Sequence, residues 1–123
     1  IKGKLRQSAN NISFCAKNSN LDIPISNYGF KNTSQLDNKE VYFGIRPEHI
    51  HFKRSKEDNF EVNLRANLSE YIGHEQIITF DYANQELLAK FTSTIKIELN
   101  KKKKLYFDLT QVSLFDANTE ERI

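Results

Sequence analysis

Residues 60–68, FEVNLRANL, alternate without interruption: Phe60, Val62, Leu64, Ala66 and Leu68 fall on one phase, Glu61, Asn63, Arg65 and Asn67 on the other. Successive β side chains point to opposite faces, so this pattern specifies a strand with one face in a core and one in water. Shorter runs of the same kind recur at 2–6, 12–16, 21–25, 41–45, 76–82, 86–91, 104–109 and 111–115. Between them, clusters of Asn, Asp, Ser and Gly at 8–11, 17–20, 26–29, 31–39, 55–59, 82–84 and 116–120 supply turn chemistry at the spacing of small barrels and sandwiches. Residues 93–104 have some helical character, but Ile95, Ile97 and Leu99 favour a strand there as well. The expected class is an all-β barrel.

A chain of 123 residues can bury roughly two thirds of its unfolded surface and fold as one domain. Its 38% hydrophobic content is modest, which leaves room for a partner or neighbouring domain to finish some apolar surface. The formal charge is +2, and removing the four consecutive lysines Lys101–Lys104 leaves −2. No distributed basic footprint for a phosphate backbone exists. Such a lysine run more commonly forms a solvated turn or blunts an edge strand than it binds phosphate or lipid. The single Cys15 excludes an internal disulfide and a multi-cysteine zinc site, and fits a reducing compartment. No apolar run approaches the length needed to span a bilayer. The chain starts at Ile1 and enters a strand at once, which reads as the excised part of a longer polypeptide.

The search for reactive groups centres on FGIRPEHIHF, residues 43–52, where a proline interrupts the alternation among Arg46, Glu48, His49 and His51. The four glycines Gly3, Gly29, Gly44 and Gly73 match neither phosphate-binding spacing. Cys15 lies between Phe14 and Ala16 with no adjacent base to activate it, which favours inert packing over nucleophilic catalysis. His49 and His51 would share a face of a strand, and a metal site would need His74 or Glu75 as a further ligand. Arg46 and Glu48 would share a face if the chain stayed extended through Pro47, forming an ion-paired fastening at a bend, since a carboxylate beside a guanidinium stays ionised and makes a poor general acid. Glu70 is the other candidate partner of Arg46. No catalytic, cofactor or metal residue is assigned.

FGIRPEHI (43–50), LSEYIGHE (68–75), LLAKF (87–91) and SLFDANTEERI (113–123) resemble, in order and spacing, the C-terminal regulatory domain of sugar-type ABC importer ATPases, the transport-associated OB (TOBE) domain of the maltose and glycerol-phosphate importer family. The resemblance spans the chain and is stronger after residue 40. It rests on Arg46, Pro47, Glu48, His49, Glu70, Gly73, Phe115, Asp116 and Arg122. Two departures are Ser113, where the family has His, and Thr119-Glu120, where it has Thr-Gly; Asn118 is then expected to carry a positive φ in that turn. The resemblance implies an OB-like, TOBE/MOP-like β barrel of two interleaved lobes. Residues 1–46 would form the first lobe segment and 47–123 the second, its end returning to the first.

The resemblance also implies a non-catalytic regulatory and dimerising role, with ATP and magnesium confined to a nucleotide-binding domain outside this segment. The implied partners are a second copy of the subunit, the membrane permease subunits and, in some relatives, an inhibitory protein or small solute; the implied location is the cytoplasmic face of the membrane. Tyr71 and Phe115 are the candidate dimer contacts, set against the simpler reading that both fill the barrel. The alternative is a stand-alone OB module binding single-stranded nucleic acid through Phe43, Phe52, Phe60, Phe80 and Phe91, or a small anion.

Overall fold

Alternation becomes ladder in two antiparallel sheets. The computed structural model describes residues 1–55, 58–82 and 85–123, so parts of the turns expected at 55–59 and 82–84 lie outside the described residues. The chain divides into two units, Ile1–Gly44 with Val112–Ile123, and Ile45–Gln111.

The discontinuous unit is built on β1 (Lys2–Ser8), β2 (Asn11–Ala16), β3 (Asp22–Pro24), β4 (Glu40–Gly44) and the last strand, β10 (Ser113–Asp116). Their order is β10-β4-β1-β2-β3. The core-facing phase supplies Leu5, Phe14, Ile23, Val41, Phe43 and Leu114, all essentially inaccessible. Phe14 and Phe43 meet with ring centroids 5.2 Å apart. Gly3 is required beneath them: a Cβ there would lie 2.2 Å from the Cys15 carbonyl oxygen and 2.7 Å from the Phe14 ring.

The second unit contains β5 (Ile50–His51), β6 (Asn59–Ile72), β7 (Glu75–Tyr82), β8 (Gln85–Thr92) and β9 (Lys102–Asp108), ordered β5-β9-β6-β7-β8. The first half of β6 pairs with β9 and its second half with β7. The sheet curls, bringing β5 and the preceding 3-10 turn Pro47–His49 against β8. Val62, Leu64, Ala66, Ile78, Phe80, Ala89, Leu105 and Phe107 fill its interior. Gly73 opens the two-residue turn between β6 and β7 at φ 61°, a left-handed value that glycine adopts without penalty.

Four local expectations are corrected. The FEVNLRANL alternation ends in a bulge: Ala66 pairs with Phe80 and Leu68 with Thr79, leaving Asn67 over. A single inserted residue reverses the side-chain phase, so Leu68 faces outward and is 46% exposed. Residues 93–101 form neither strand nor helix. The carbonyls of Thr92 and Ile95 accept hydrogen bonds from the buried Gln76 Nε2, and Asn100 N–H donates to Ala66, so side-chain and single backbone bonds stand in for a ladder. The chain does not stay extended through Pro47: Arg46 is extended at the N-cap, Pro47 opens a 3-10 turn, and His49 N–H donates to the Arg46 carbonyl. Proline's fixed φ and missing N–H suit that first turn position. Finally, the positive φ in the terminal turn belongs to Glu120, at 63°, and not to Asn118. Asp116 Oδ1 accepts from the N–H groups of both Asn118 and Thr119, holding those two residues in a side-chain-capped turn.

Candidate functional site

The terminal motif assembles within the discontinuous unit. On β10, Phe115 pairs with Tyr42 and Asp116 with Val41 of β4, while Phe115 also bridges to Arg122. The Phe115 ring is half-buried over Gly44, where a Cβ would approach to 3.3 Å. Lys39 Nζ lies 3.0 Å from Asp116 Oδ2. That ammonium, followed by the Thr119 and Asn118 amides, lowers the Asp116 carboxyl from its ordinary 3.8 to about 2. The Tyr28 hydroxyl accepts from Leu114 N–H at 3.1 Å and from Arg122 Nε at 3.5 Å. These residues fasten the end of the chain onto β4.

Cys15 is half-buried, opposite Lys4 on β1 and Asp22 on β3. Burial pushes its thiol up, the Asp22 charge adds to that, and Arg6 opposes it. A protonated thiol is a poor nucleophile at neutral pH. The expectation of no basic influence is corrected by Arg6; the outcome for reactivity is the same.

The remaining motif residues belong to the second unit, beside the division at Gly44 and Ile45. Arg46 and Glu48 are both exposed, as is Glu70, and among the described residues Arg46 makes no ion pair with either carboxylate. The 3-10 turn places Glu48 out of the extended phase that would have paired it with Arg46. His49 lies in the turn, half-buried, its Nδ1 without a hydrogen-bonding partner among the described residues. His51 lies on β5, 3.9 Å from Asp108. The two histidines therefore do not share a strand face. Among the described residues, no group of three His, Cys, Asp or Glu side chains could hold a metal ion.

Where β5 meets β8, a cleft of about 690 Å³ opens between Ile50, Phe52 and Phe91. Its rim carries Lys53, Lys90, Lys96 and Glu48, with Thr92 and Thr94 hydroxyls 3.0 Å apart. Lys90 is held by Glu75 at 2.9 Å, which leaves the Lys53 and Lys96 ammonium groups and the Glu48 carboxylate around the cleft. Three of the four consecutive lysines engage neighbours: Lys101 meets Glu98 at 2.7 Å, Lys103 covers Phe52 at 4.4 Å, and Lys104 reaches Glu61 at 3.9 Å. Of the five phenylalanines expected to stack bases, Phe43, Phe80 and Phe91 are buried and Phe52 and Phe60 half-buried, so the five do not form one exposed platform.

A second feature of this unit is the outer face of β6, β7 and β8. Leu68 and Leu88 are each 46% exposed and Ile72 65%; Tyr71, also 65% exposed, lies off this face. Tyr71 is in the phase of Gln76 and Phe91 but sits at the open end of β6, so it does not fill the barrel. Gln76, only 1% exposed, was not singled out from the sequence; its polarity in a core position is the signal that could have found it.

An all-β chain with a curled sheet, a returning C-terminal strand and no assembled reactive centre among its described residues sets the comparison with known proteins. Residues 1–50 match the family model described as the MalK OB fold domain. The architecture agrees with an OB fold. The chain is 29% identical over 126 residues to the oligosaccharides import ATP-binding protein MsmX of Bacillus subtilis, covering 100% of this chain and 33% of MsmX. It is 24% identical over 120 residues to the sulfoquinovosyl glycerol transport ATP-binding protein SmoE of Agrobacterium fabrum, covering 98% of this chain and 32% of that relative. The uncharacterized ABC transporter ATP-binding protein YurJ of Bacillus subtilis is 24% identical over 125 residues, 100% of this chain and 34% of its own length. The chain thus spans about a third of the length of the curated relatives it matches. Among the described residues no helix is long and apolar enough to cross a membrane.

Proposed function

We propose that this chain is the C-terminal regulatory and dimerising domain of the ATP-binding subunit of a sugar-type ABC importer. The observation that carries the reading is similarity to import and transport ATP-binding proteins along essentially the whole chain, together with the OB-fold match over residues 1–50. In this reading the segment is of the TOBE type and contributes shape and contact, while ATP and magnesium are handled by a nucleotide-binding domain elsewhere in the subunit. Its partners are a second subunit and the membrane permease, at the cytoplasmic face. The coding sequence upstream of Ile1 tests this directly. A Walker A, signature and Walker B series there supports the reading; an open reading frame lacking them overturns it.

A second reading, small-anion binding by the same domain, is favoured by the lysine-rimmed cleft between β5 and β8. Calorimetric titration with inorganic phosphate and sulfate tests it. Binding lost in Lys53→Ala/Lys96→Ala supports it, and an absence of heat with the wild-type chain removes it.

A further inference from the structure

The outer face of the discontinuous unit gathers charge of one sign along one strand. Lys2, Lys4 and Arg6 occupy alternate positions of β1, while Gly3 and Leu5 between them are buried, so the three cations leave the same side of the sheet. Lys17 stands beside Lys2, its N–H donating to the Lys2 carbonyl at 3.0 Å. With Cys15 and Glu40, these four residues line a cleft of about 530 Å³, separate from the one between β5 and β8. Elsewhere Lys39, Lys90, Lys101 and Lys104 each face a carboxylate. Around this cleft, none of the four cations has an ion-pair partner among the described residues; Lys2 has the Tyr42 ring 5.9 Å away. The opposing charges on this face are Glu40, paired with Lys4 across β4, and Asp22, paired with Cys15 across β3. They confine the positive strip to β1 and the end of β2.

We infer that this cleft binds a compact polyanion carrying at least two phosphoryl groups, held by Lys2, Lys4, Arg6 and Lys17. Alternate residues of a strand lie about 6.6 Å apart, so Lys2 and Arg6 are about 13 Å apart along β1. That span exceeds the width of a single phosphate but suits a chain of linked phosphoryl groups, or two borne by one small molecule. The Arg6 guanidinium can grip one group with two parallel N–H donors, and the lysines act as point charges on the others. The volume lies within the range of small-ligand sites, roughly 300–1,000 Å³. No aromatic ring lines the cleft among the described residues, so it offers no stacking surface for a base. Recognition therefore follows the number of phosphoryl groups and not the nature of a base or sugar. The same narrowness disfavours longer polyanions: with Glu40 and Asp22 on its two sides, the strip is too small to track an extended nucleic-acid strand or lie along a bilayer.

Calorimetric titration of the 123-residue chain with sodium tripolyphosphate and orthophosphate, at low ionic strength, is the test. Tripolyphosphate is expected to bind at least about tenfold more tightly than orthophosphate, because it engages more of the cations at once. Lys4→Gln/Arg6→Gln should weaken it by about tenfold or more with unchanged circular dichroism, since both side chains are exposed. Glu40→Gln should tighten it by about threefold, by removing a like charge from the rim. Cys15 is the chain's single cysteine and lines this cleft, so its alkylation by the neutral reagent iodoacetamide reports occupancy; tripolyphosphate should slow it in the wild type. Lys53→Ala/Lys96→Ala, in the cleft between β5 and β8, should leave tripolyphosphate binding unchanged. No heat at millimolar tripolyphosphate, equal affinity for orthophosphate, unslowed alkylation of Cys15, or binding that survives Lys4→Gln/Arg6→Gln overturns the inference. So does binding lost in Lys53→Ala/Lys96→Ala, which would move the anion to the other cleft. Tighter binding of a thymidine decanucleotide or of phosphatidylglycerol vesicles also overturns it. The inference does not rest on the importer reading, which stands or falls on the sequence upstream of Ile1.

Discussion

The two units use the same antiparallel ladders to different ends. In the discontinuous unit the strands are short, from three residues in β3 to seven in β1, and a long connection joins β3 to β4. Most of its large apolar side chains are buried; Ile1, Tyr28, Phe30, Phe115 and Ile123 are half-buried and Tyr42 is 37% exposed. In the second unit β6 alone runs for 14 residues, and Leu68, Tyr71, Ile72, Leu88 and Leu99 remain exposed. The first unit is internally complete, and the second carries unfinished apolar surface. Hydrophobic side chains are costly to leave in water as a contiguous block, so the contrast locates the exposed apolar surface in the second unit.

The sharpest way to break that contrast is to remove one aromatic from the complete unit. Phe14→Ala is expected to lower unfolding free energy by about 3–5 kcal/mol, the cost of transfer plus a cavity, measured by chemical denaturation. Leu88→Ala, on the outer face of the other unit, should cost less than about 0.5 kcal/mol in the monomer. Comparable losses at the two positions would refute the distinction.

A middle-sized effect separates polar from apolar support inside the second unit. Gln76 Nε2 donates to Thr92 O at 3.0 Å and to Ile95 O, tying residues 93–95 to the barrel. Gln76→Leu fills the same space but strips both carbonyls of that donor. About 1–3 kcal/mol of stability should be lost. Amide hydrogen exchange should accelerate over residues 93–100 ahead of β6 and β7. Uniform acceleration would show that Gln76 supports the whole sheet and not the segment.

How much of this was legible in the sequence follows from how locally each feature is encoded. Period-two alternation is a property of adjacent residues, and every run read as a strand from it before residue 93 contains one, as do those at 104–109 and 111–115. The bulge at Asn67 was invisible because Leu68 keeps the apolar phase on paper; only pairing with β7 reveals the extra residue. Ile95, Ile97 and Leu99 alternate as a strand does, yet a strand also needs a neighbour, and none of the observed ladders includes them. The 3-10 turn at Pro47 did have a local signal, proline at a first helical position followed by Glu48, which the assumption of an extended corner passed over. The outer face of β6–β8 was beyond reading, since its composition depends on the bulge; Tyr71, expected as a dimer contact from its place at a strand end, is exposed but falls in the phase of Gln76 and Phe91.

A smaller and pH-dependent effect tests the fastening of the discontinuous unit. The Asp116 carboxyl is lowered to about 2 from an ordinary 3.8, so the folded state favours its ionised form. Its contribution is fully present above the unfolded value, and disappears as pH falls through about 2. Asp116→Asn should therefore lower the melting temperature at pH 7, and the gap from wild type should narrow below about pH 4 and close near pH 2. A gap that persists at the lowest pH would assign the loss to the turn geometry around Asn118 and Thr119, and not to the charge facing Lys39.

The smallest expected change is the most informative about RPEH. From sequence, Arg46 reads as one half of an ion-paired corner, and its removal should then destabilise the fold clearly. In the structure Arg46 is exposed at the N-cap of the Pro47–His49 turn, with neither Glu48 nor Glu70 as an ion-pair partner. A solvated guanidinium with no ion-pair partner among the described residues contributes little, so Arg46→Ala should change unfolding free energy by no more than about 0.5 kcal/mol. A fall of several times that size would place a carboxylate against Arg46 in solution and restore the corner to the set of structural fastenings. An unchanged melting curve leaves the motif's arginine free to meet something outside the chain. That outcome extends the contrast between the units to a single residue, beside the point at Gly44 and Ile45 where one unit ends and the other begins.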